Sequence, residues 1–301
     1  MLSQEDQRLE EGIVKEYCLQ ARAKVNLTVD VLRRRADGYH DVDLLMQSVS
    51  LCDTIRLREA QSLELTIEGA LRAEKDNLIL RAARLLAEEA GIAPRAELVL
   101  EKHVPVAAGL GGGSGDAAAA LVGLNELWNL HYPLGRLQEL GARLGADVPF
   151  CIAGGCQRAT GIGTDLAPVR SRLPLYLVIL KPCEGLLTKE IFEALDMTAV
   201  TAHPDTAGAA RAMEAGSVRD LIACMGNVLE TVAVVRRPAI ARAIEELLAR
   251  GALHARMSGS GSAVFGLFPA WEQAVETAVE LKRVYSECCA AQSVDAGVKF
   301  L

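Results

Sequence analysis

Residues 105–116 read PVAAGLGGGSGD and run directly into AAAALVGLNELW at residues 117–128. Five of the seven residues from 109 to 115 are glycine, so the backbone there can adopt unusual φ values and approach a ligand closely. The alanine-rich segment predicts a helix from about Gly115 to Trp128, whose unpaired N–H groups would point back into the loop. Backbone amides and the positive end of a helix together form an anion site suited to phosphate. A flexible linker is the alternative, which the immediate start of a small-residue helix disfavours.

The residue types of the loop exclude the two commonest nucleotide loops. A P-loop requires Gly-Lys-Ser/Thr after its glycines, and no lysine follows here. The dinucleotide pattern GxGxxG also fails, because Ser114 or Asp116 stands where the third glycine is required. A nicotinamide-dependent dehydrogenase is therefore disfavoured, and a phosphate loop of another type is expected.

The composition is that of a globular protein with a full hydrophobic core. The 301 residues correspond to about two domains, and 50% of them are hydrophobic. The longest uncharged stretch, residues 257–271, is interrupted by Gly and Ser, so neither a transmembrane helix nor a membrane partner is expected. Residues 1–15, MLSQEDQRLEEGIVK, form a charged extension without the apolar run of a secretory signal, which predicts a cytoplasmic protein. The choice between a monomer and a homodimer stays open.

Charge and cysteine content narrow the class of ligand. The 39 acidic and 32 basic residues give a net charge of −7, which disfavours a nucleic-acid partner because phosphate-backbone binding usually needs a basic surplus. A small anion is not disfavoured, since a few local cations and backbone amides can bind it. The eight cysteines form no CxxC pair, so free thiols in a reducing compartment are expected rather than a zinc site or a disulfide framework.

Strand and helix patterns follow each other irregularly along the chain. Apolar alternation predicts strands from Tyr17 and over 62–68, an amphipathic pattern predicts a helix that ends at Gly91, and LYLVIL at 175–180 predicts a central strand. Later helices are predicted at about 208–215, 217–229, 238–250 and 271–290, and a last strand at 293–300. Because regular βαβ alternation is missing, the expected class is α+β, with one domain at residues 1–168 and another at 169–301.

Three polar residues in largely apolar segments are candidates for chemistry. Lys24 lies among Ala and Val in the first predicted strand, and Asn26, two residues later, shares its face. The alternative for Lys24 is an edge-strand lysine that points to solvent. Asp147 lies in the segment LGADVPF, where a helix cap or turn carboxylate is as acceptable as a catalytic one.

The glycine loop resembles the nucleotide loop of the GHMP kinases, a family of small-molecule kinases that includes galactokinase, homoserine kinase and mevalonate kinase. Residues 257–268, MSGSGSAVFGLF, are similar to a second glycine turn of that family, and the resemblance extends over residues 21–301. The chain departs from the family pattern at Gly115, where a second serine is usual, and at Ser262, where proline is common.

Two further segments resemble one branch of the family, which phosphorylates a cytidine diphosphate sugar alcohol. They are residues 23–51, AKVNLTVDVLRRRADGYHDVDLLMQSVSL, and residues 144–155, LGADVPFCIAGG. The implied reaction is ATP-dependent phosphorylation of the 2-hydroxyl position in the non-mevalonate (methylerythritol phosphate) route to isoprenoid precursors. The implied fold is the two-domain GHMP kinase fold, with a ribosomal-protein-S5-like N-terminal domain and a ferredoxin-like C-terminal domain.

The resemblance also implies the roles of individual residues. ATP with Mg²⁺ is the implied donor, and the metal ligands stay unknown. The implied nucleotide-binding residues are Pro105, Val106, Ala107, Ala108, Gly109, Leu110, Gly111, Gly112, Gly113, Ser114 and Gly115. Lys24 is implied to supply positive charge beside the transferred group, and Asp147 to accept the hydroxyl proton. The implied substrate-binding residues are Asn26, Tyr39, His40 and Phe192.

Alternatives stay open at this point. Another GHMP kinase of the homoserine or mevalonate type is disfavoured by the Gly38-Tyr39-His40 segment. A non-catalytic nucleotide sensor of the same fold is disfavoured by the presence of Lys24 and Asp147. Phe192 could also lie in the hydrophobic core on the buried face of an ordinary amphipathic helix, because KEIFEAL has that pattern.

Overall fold

A computed structural model describes residues 15–69 and 76–301 of the chain. The charged extension expected at residues 1–15 lies, except for Lys15, outside the described residues. Within the two described ranges, no helix combines the length and the apolar character that crossing a membrane requires.

The first half of the chain is organised around a long antiparallel hairpin. Its elements are β1 (Glu16–Arg34), β2 (His40–Arg58), β3 (Leu63–Glu68), α1 (Leu78–Ala90), β4 (Ala96–Glu101), α2 (Gly112–Leu127), α3 (Leu134–Ala142), α4 (Val148–Ala153), β5 (Cys156–Thr160) and β6 (Asp165–Val169). The turn at residues 36–38 joins β1 to β2. Strands β4 and β5 both pair antiparallel with β2, β3 lies parallel to β4, and β6 pairs with β5.

The second half forms a sheet of its own and adds two short strands to the first. Its elements are β7 (Tyr176–Leu180), α5 (Thr188–Glu193), α6 (Thr206–Ala215), α7 (Val218–Cys224), β8 (Gly226–Asn227), α8 (Glu230–Arg236), α9 (Ala239–Ala249), β9 (His254–Met257), β10 (Val264–Phe268), α10 (Trp271–Leu281), β11 (Cys288–Gln292) and β12 (Val298–Phe300). Strands β8 and β12 pair with β1, so the end of the chain returns to the first sheet. The predicted division between residues 168 and 169 falls within β6 and stays a prediction.

The second sheet has the order β11-β7-β10-β9, and every neighbouring pair is antiparallel. Helices α9 and α10 pack against it. With the inserted segment from α5 to α8 set aside, the chain follows the order β-α-β-β-α-β, which is ferredoxin-like. The expected α+β class is therefore confirmed.

Helix α2 packs directly on the first sheet through small side chains. The four alanines at residues 117–120 are all 0% exposed. A Cβ at Gly123 would lie 2.5 Å from Leu57 Cδ2, so glycine permits a helix-to-strand distance that a larger residue would prevent. This packing fixes the N-terminus of α2, and with it the end of the glycine loop, against the sheet.

Three predictions for the second half are wrong in extent. The helix predicted over 217–229 is shorter, because β8 pairs with β1 at its C-terminal end. The helix predicted over 271–290 ends at Leu281, and its last residues belong to β11, whose pairing with β7 overrides the helical propensity of its alanines. The strand predicted over 293–300 is reduced to β12.

Candidate active site

A cleft of about 820 Å³ is lined by residues from both halves of the chain. The predicted site residues along it are Lys24, Asn26, Tyr39, His40, Gly109, Ser114, Asp147 and Phe192. They come from β1, the start of β2, the glycine loop, the residue before α4, and α5. The fold thus brings to one place segments that are far apart in the sequence.

Lys24 and Asp147 form the charged centre of the cleft. Lys24 is only 4% exposed, and its Nζ lies 3.6 Å from Asp147 Oδ2 and 2.5 Å from Asn26 Oδ1. The Asp147 side chain is 36% exposed and, within the described chain, makes no capping hydrogen bond to α4. Lys24 therefore does not point to solvent, and Asp147, although it stands at the N-cap position of α4, has a carboxylate that a ligand in the cleft can reach.

The glycine loop is held in left-handed backbone conformations between two neighbours. The φ angles are 76° at Gly109 and 70° at Gly111. On one side, the Lys24 N–H donates to the Leu110 carbonyl oxygen at 2.9 Å. On the other, a Cβ at Gly109 would lie 2.1 Å from the carbonyl oxygen of Ser258. Glycine is therefore required at this close approach.

Helix α2 directs its first backbone N–H groups into the loop. It begins at Gly112 rather than at the predicted Gly115, and its N-cap, Gly111, has no side chain to bind those groups. Asp116, in the second turn of α2, is buried and pairs with Lys102. The helix N-terminus thus keeps the donors and the positive dipole end that bind phosphate.

The other predicted loop residues differ in exposure. Val106 and Ala107 are exposed, whereas Ala108 and Leu110 are 2% and 1% exposed and pack in the hydrophobic core. The last two can therefore offer only backbone groups to a nucleotide.

The two departures from the family pattern, Gly115 and Ser262, are not among the described residues that line the cleft. A Cβ at Gly115 would lie 3.1 Å from the carbonyl oxygen of Arg22, so a serine side chain there would start toward β1. Ser262 donates its hydroxyl to the Cys183 carbonyl oxygen at 2.9 Å. Neither position directs a side chain at the phosphate loop.

The second glycine turn closes on the glycine loop from the second half of the chain. Ser258 Oγ donates to the Gly109 carbonyl oxygen at 2.9 Å and accepts from the Asn26 N–H at 3.3 Å. Asn227 Nδ2 donates to the Gly259 carbonyl oxygen at 2.8 Å and so holds the turn in place. A Cβ at Gly259 would lie 3.4 Å from the ammonium nitrogen of Lys24, so this turn belongs to the charged centre.

Aromatic side chains line the far end of the cleft. The rings of His40 and Phe192 have centroids 5.3 Å apart and are tilted by 43° relative to each other. Tyr39, the residue before His40, is exposed. Burial, together with the charge of Arg34, lowers the pKa of His40, so its imidazole is neutral at neutral pH. Phe192 also packs against the core, so the core interpretation and the cleft interpretation both apply to it.

Several cleft residues were not predicted from the sequence. They include Arg34, Thr188 and Lys189. The run Arg33-Arg34-Arg35 could have pointed to Arg34 in the sequence. In the structure its two neighbours form ion pairs with aspartates, whereas Arg34 has no ion-pair partner among the described residues. Thr188, which no local pattern marks, shares a hydrogen bond of 2.8 Å between hydroxyl oxygens with Ser260 of the second glycine turn.

Family models match both halves of the chain. The model for the GHMP kinases N terminal domain matches residues 77–155, and the model for the GHMP kinases C terminal matches residues 209–291. The chain therefore belongs to the GHMP kinases, with the two-domain fold expected of them. A homoserine kinase from Cytophaga hutchinsonii shares this fold at a TM-score of 0.74 and 19% identity, over 97% of this chain and 99% of that one.

Relatives of higher sequence identity show to which branch of the GHMP kinases the chain belongs. A 4-diphosphocytidyl-2-C-methyl-D-erythritol kinase from Pelotomaculum thermopropionicum is 45% identical over 266 residues, which cover 87% of this chain and 93% of the relative. A crystal structure of a 4-(cytidine 5'-diphospho)-2C-methyl-D-erythritol kinase matches with a TM-score of 0.79 and 33% identity, over 93% of this chain and 99% of that one. Within the GHMP kinases, the chain belongs to the 4-diphosphocytidyl-2-C-methyl-D-erythritol kinase family.

Proposed function

We propose that the protein transfers the γ-phosphoryl group of ATP to the 2-hydroxyl of 4-diphosphocytidyl-2-C-methyl-D-erythritol, in the methylerythritol phosphate route to isoprenoid precursors. The main observation behind this proposal is the contact of Lys24 with Asp147 at 3.6 Å. The cleft in which this contact lies is also lined by residues of the glycine loop and by the aromatic rings described above. The names of the relatives support the choice of acceptor.

The donor side fits a nucleoside triphosphate. The uncapped N-terminus of α2 and the left-handed Gly109 and Gly111 form a cradle of backbone groups in which phosphate can be bound. Ser114 adds a hydroxyl from the first turn of the helix to the same cleft. Mg²⁺ bound with ATP takes most of its oxygen ligands from phosphates and water, and would neutralise charge on the transferred group. Ser114 and Asp147, which both line the cleft, would be protein oxygen ligands available to that ion.

The charged centre fits the transfer step. Asp147 accepts the proton as the acceptor hydroxyl oxygen forms its bond to the γ-phosphorus, and the bond from that phosphorus to the oxygen of ADP breaks. Lys24 balances the negative charge on the transferred group, and its bond to Asn26 Oδ1 holds the ammonium in place. Since that oxygen is occupied, Asn26 has its amide N–H groups left for the acceptor.

The aromatic end fits the cytidine base of the acceptor. Tyr39 and Phe192 offer flat faces for stacking, and neutral His40 offers a ring nitrogen for a hydrogen bond to the base edge. Both substrates are strongly charged and do not cross membranes unaided, which supports a cytoplasmic location. All the residues invoked come from one chain, so a monomer and a homodimer are equally compatible with this function.

An assay of ADP release with three candidate acceptors tests the proposed function. We expect ADP only when the cytidine diphosphate sugar alcohol is added, and none above background with homoserine or mevalonate. ADP release with either of the other acceptors would support a different GHMP kinase. Binding of ATP without turnover of any acceptor would support a nucleotide sensor.

A further inference from the structure

Three buried charged groups lie beneath the glycine loop. Asp53 in β2 is 0% exposed, Asp116 in α2 is 4% exposed, and the Lys102 side chain, just after β4, is 14% exposed. Lys102 Nζ lies 2.5 Å from Asp53 Oδ2 and 2.8 Å from Asp116 Oδ2. The three groups form a carboxylate–ammonium–carboxylate chain, called here the charge clamp.

Asp53 fixes the point where the chain enters the loop. Its Oδ1 accepts from the backbone N–H of His103 at 2.6 Å and from that of Val104 at 2.7 Å. These two residues directly precede the segment PVAAGLGGG. Because Asp53 lies in the long hairpin, the entry to the loop is tied to the sheet that also carries Lys24.

Lys102 ties the same point to the end of the loop. Its bond to Asp116 reaches into α2, whose first turn forms the end of the glycine loop. A Cβ at Gly112 would lie 3.0 Å from Lys102 Nζ, so the ammonium packs directly under the helix N-terminus. The charge clamp therefore fixes the positions of both ends of the glycine loop.

The oppositely charged groups of the charge clamp stabilise one another in their ionised forms. Burial lowers the pKa of Lys102, but the carboxylates of Asp116 and Asp53 outweigh it and raise that pKa overall. Burial raises the pKa of Asp116 to about 7, against the opposing effect of Lys102. Removal of the lysine would leave two buried carboxyl groups without a cation, and it would be strongly unfavourable for both to stay ionised.

None of the three residues is among the described residues that line the cleft. We propose that Lys102 is a positioning residue, which acts through Asp53 and Asp116 to hold the glycine loop in the conformation that binds the triphosphate of a nucleotide. This inference rests on the proposed binding of ATP at the loop. Lys102 differs from a P-loop lysine because its ammonium is committed to carboxylates rather than to phosphate.

Calorimetric titration with a non-hydrolysable ATP analogue and Mg²⁺ tests the inference without any acceptor. We expect Lys102→Met to weaken binding of the analogue about tenfold or more. A separate titration with the acceptor alone should give the wild-type affinity. The matched control is Lys181→Met, because the Lys181 side chain is also 14% exposed and pairs with Glu287 at 3.1 Å, away from the loop. That control should bind the analogue within about twofold of the wild type.

Since Lys102→Met can fail to fold, two variants of Asp116 test the same positioning role independently. Asp116→Ala cuts the link to α2 but leaves the Lys102–Asp53 pair, and should weaken binding about fivefold. Asp116→Asn keeps an oxygen acceptor for Lys102 and should restore binding to within about twofold of the wild type. Wild-type affinity in folded Asp116→Ala, or equal weakening in both variants, would overturn the positioning role. Failure of the wild type itself to bind the analogue would instead contradict the proposed function.

Discussion

Lys24 Nζ and Asp147 Oδ2 lie 3.6 Å apart, although one residue belongs to the first strand and the other to the loop before α4. The pair is asymmetric, since Lys24 is almost fully buried and the carboxylate is more than a third exposed. A buried cation beside a reachable carboxylate is the arrangement that phosphoryl transfer to a hydroxyl requires: one group balances charge and the other receives a proton.

Replacement of Lys24 by alanine should lower kcat by about 10²–10³-fold, because charge on the transferred group is then left uncompensated. Lys24→Arg is the matched variant; it keeps the charge but cannot reproduce the short contact with Asn26 Oδ1, so intermediate activity is expected. Steady-state kinetics measures both effects. Wild-type kcat in Lys24→Ala would remove this residue from the reaction.

Replacement of Gly113 by valine should weaken ATP binding about tenfold while the fold is retained. Gly113 adopts ordinary helical backbone in α2, and a Cβ there meets only Leu78 Cδ1 at 3.6 Å, so any loss of affinity reports on the ligand rather than on the protein. Gly135→Ala is the control, because a Cβ at that position in α3 meets nothing within 4 Å. Calorimetry with an ATP analogue gives the affinity, and unchanged affinity in folded Gly113→Val would place the phosphates elsewhere.

Replacement of Tyr39 by alanine should raise the KM for the cytidine substrate about tenfold, since stacking on a base is worth about 1–3 kcal/mol. Phe192→Ala should act in the same direction, with an added loss of stability because this ring also packs against the core. Tyr39→Phe keeps the flat face and should stay within about twofold of the wild type. A rise in the KM for ATP instead would mean that the positions of the two nucleotides are reversed.

His254 should make the folded protein less stable as the pH falls. Burial, and then the charge of Arg256, lower the pKa of His254 to about 4, from about 6.5 in the unfolded chain. Between these two values the unfolded state binds the proton and the folded state does not, so the free energy of unfolding decreases as the pH falls. Thermal unfolding at pH 7 and pH 5 should show a smaller decrease in Tm for His254→Gln than for the wild type. The exposed His131, changed to asparagine, is the control, and equal decreases in all three proteins would contradict the assignment.

The sequence predicted those features that local patterns encode. The glycine-rich run and the small-residue helix behind it predict a phosphate site, because a close-approaching backbone at a helix N-terminus offers N–H donors to an anion. Lys24 stands out for a similar reason, since a charged residue inside an apolar strand needs a partner. The α+β class followed from the order of strand and helix patterns.

The parts that the sequence did not predict depend on contacts between distant residues. The residues of β11, CCAAQ, have no strand pattern of their own, and only pairing with β7 makes them a strand. Asp53 and Asn227 act through hydrogen bonds to backbone groups far along the chain, and no spacing in the sequence marks such bonds. The start of α2 was placed too late because glycine is a poor helix former, whereas at Gly112 the loop geometry decides.

The replacement Asp147→Asn tests the proposed mechanism most directly, because asparagine keeps the shape of the side chain but cannot accept the hydroxyl proton. Turnover and the binding of both substrates are to be measured on the same folded protein. The mechanism predicts a loss in kcat of about 10²–10⁴-fold, with the affinities for the ATP analogue and the cytidine substrate within about threefold of the wild type. Turnover at the wild-type rate would contradict it, since Asp147 could then not be the group that receives the proton.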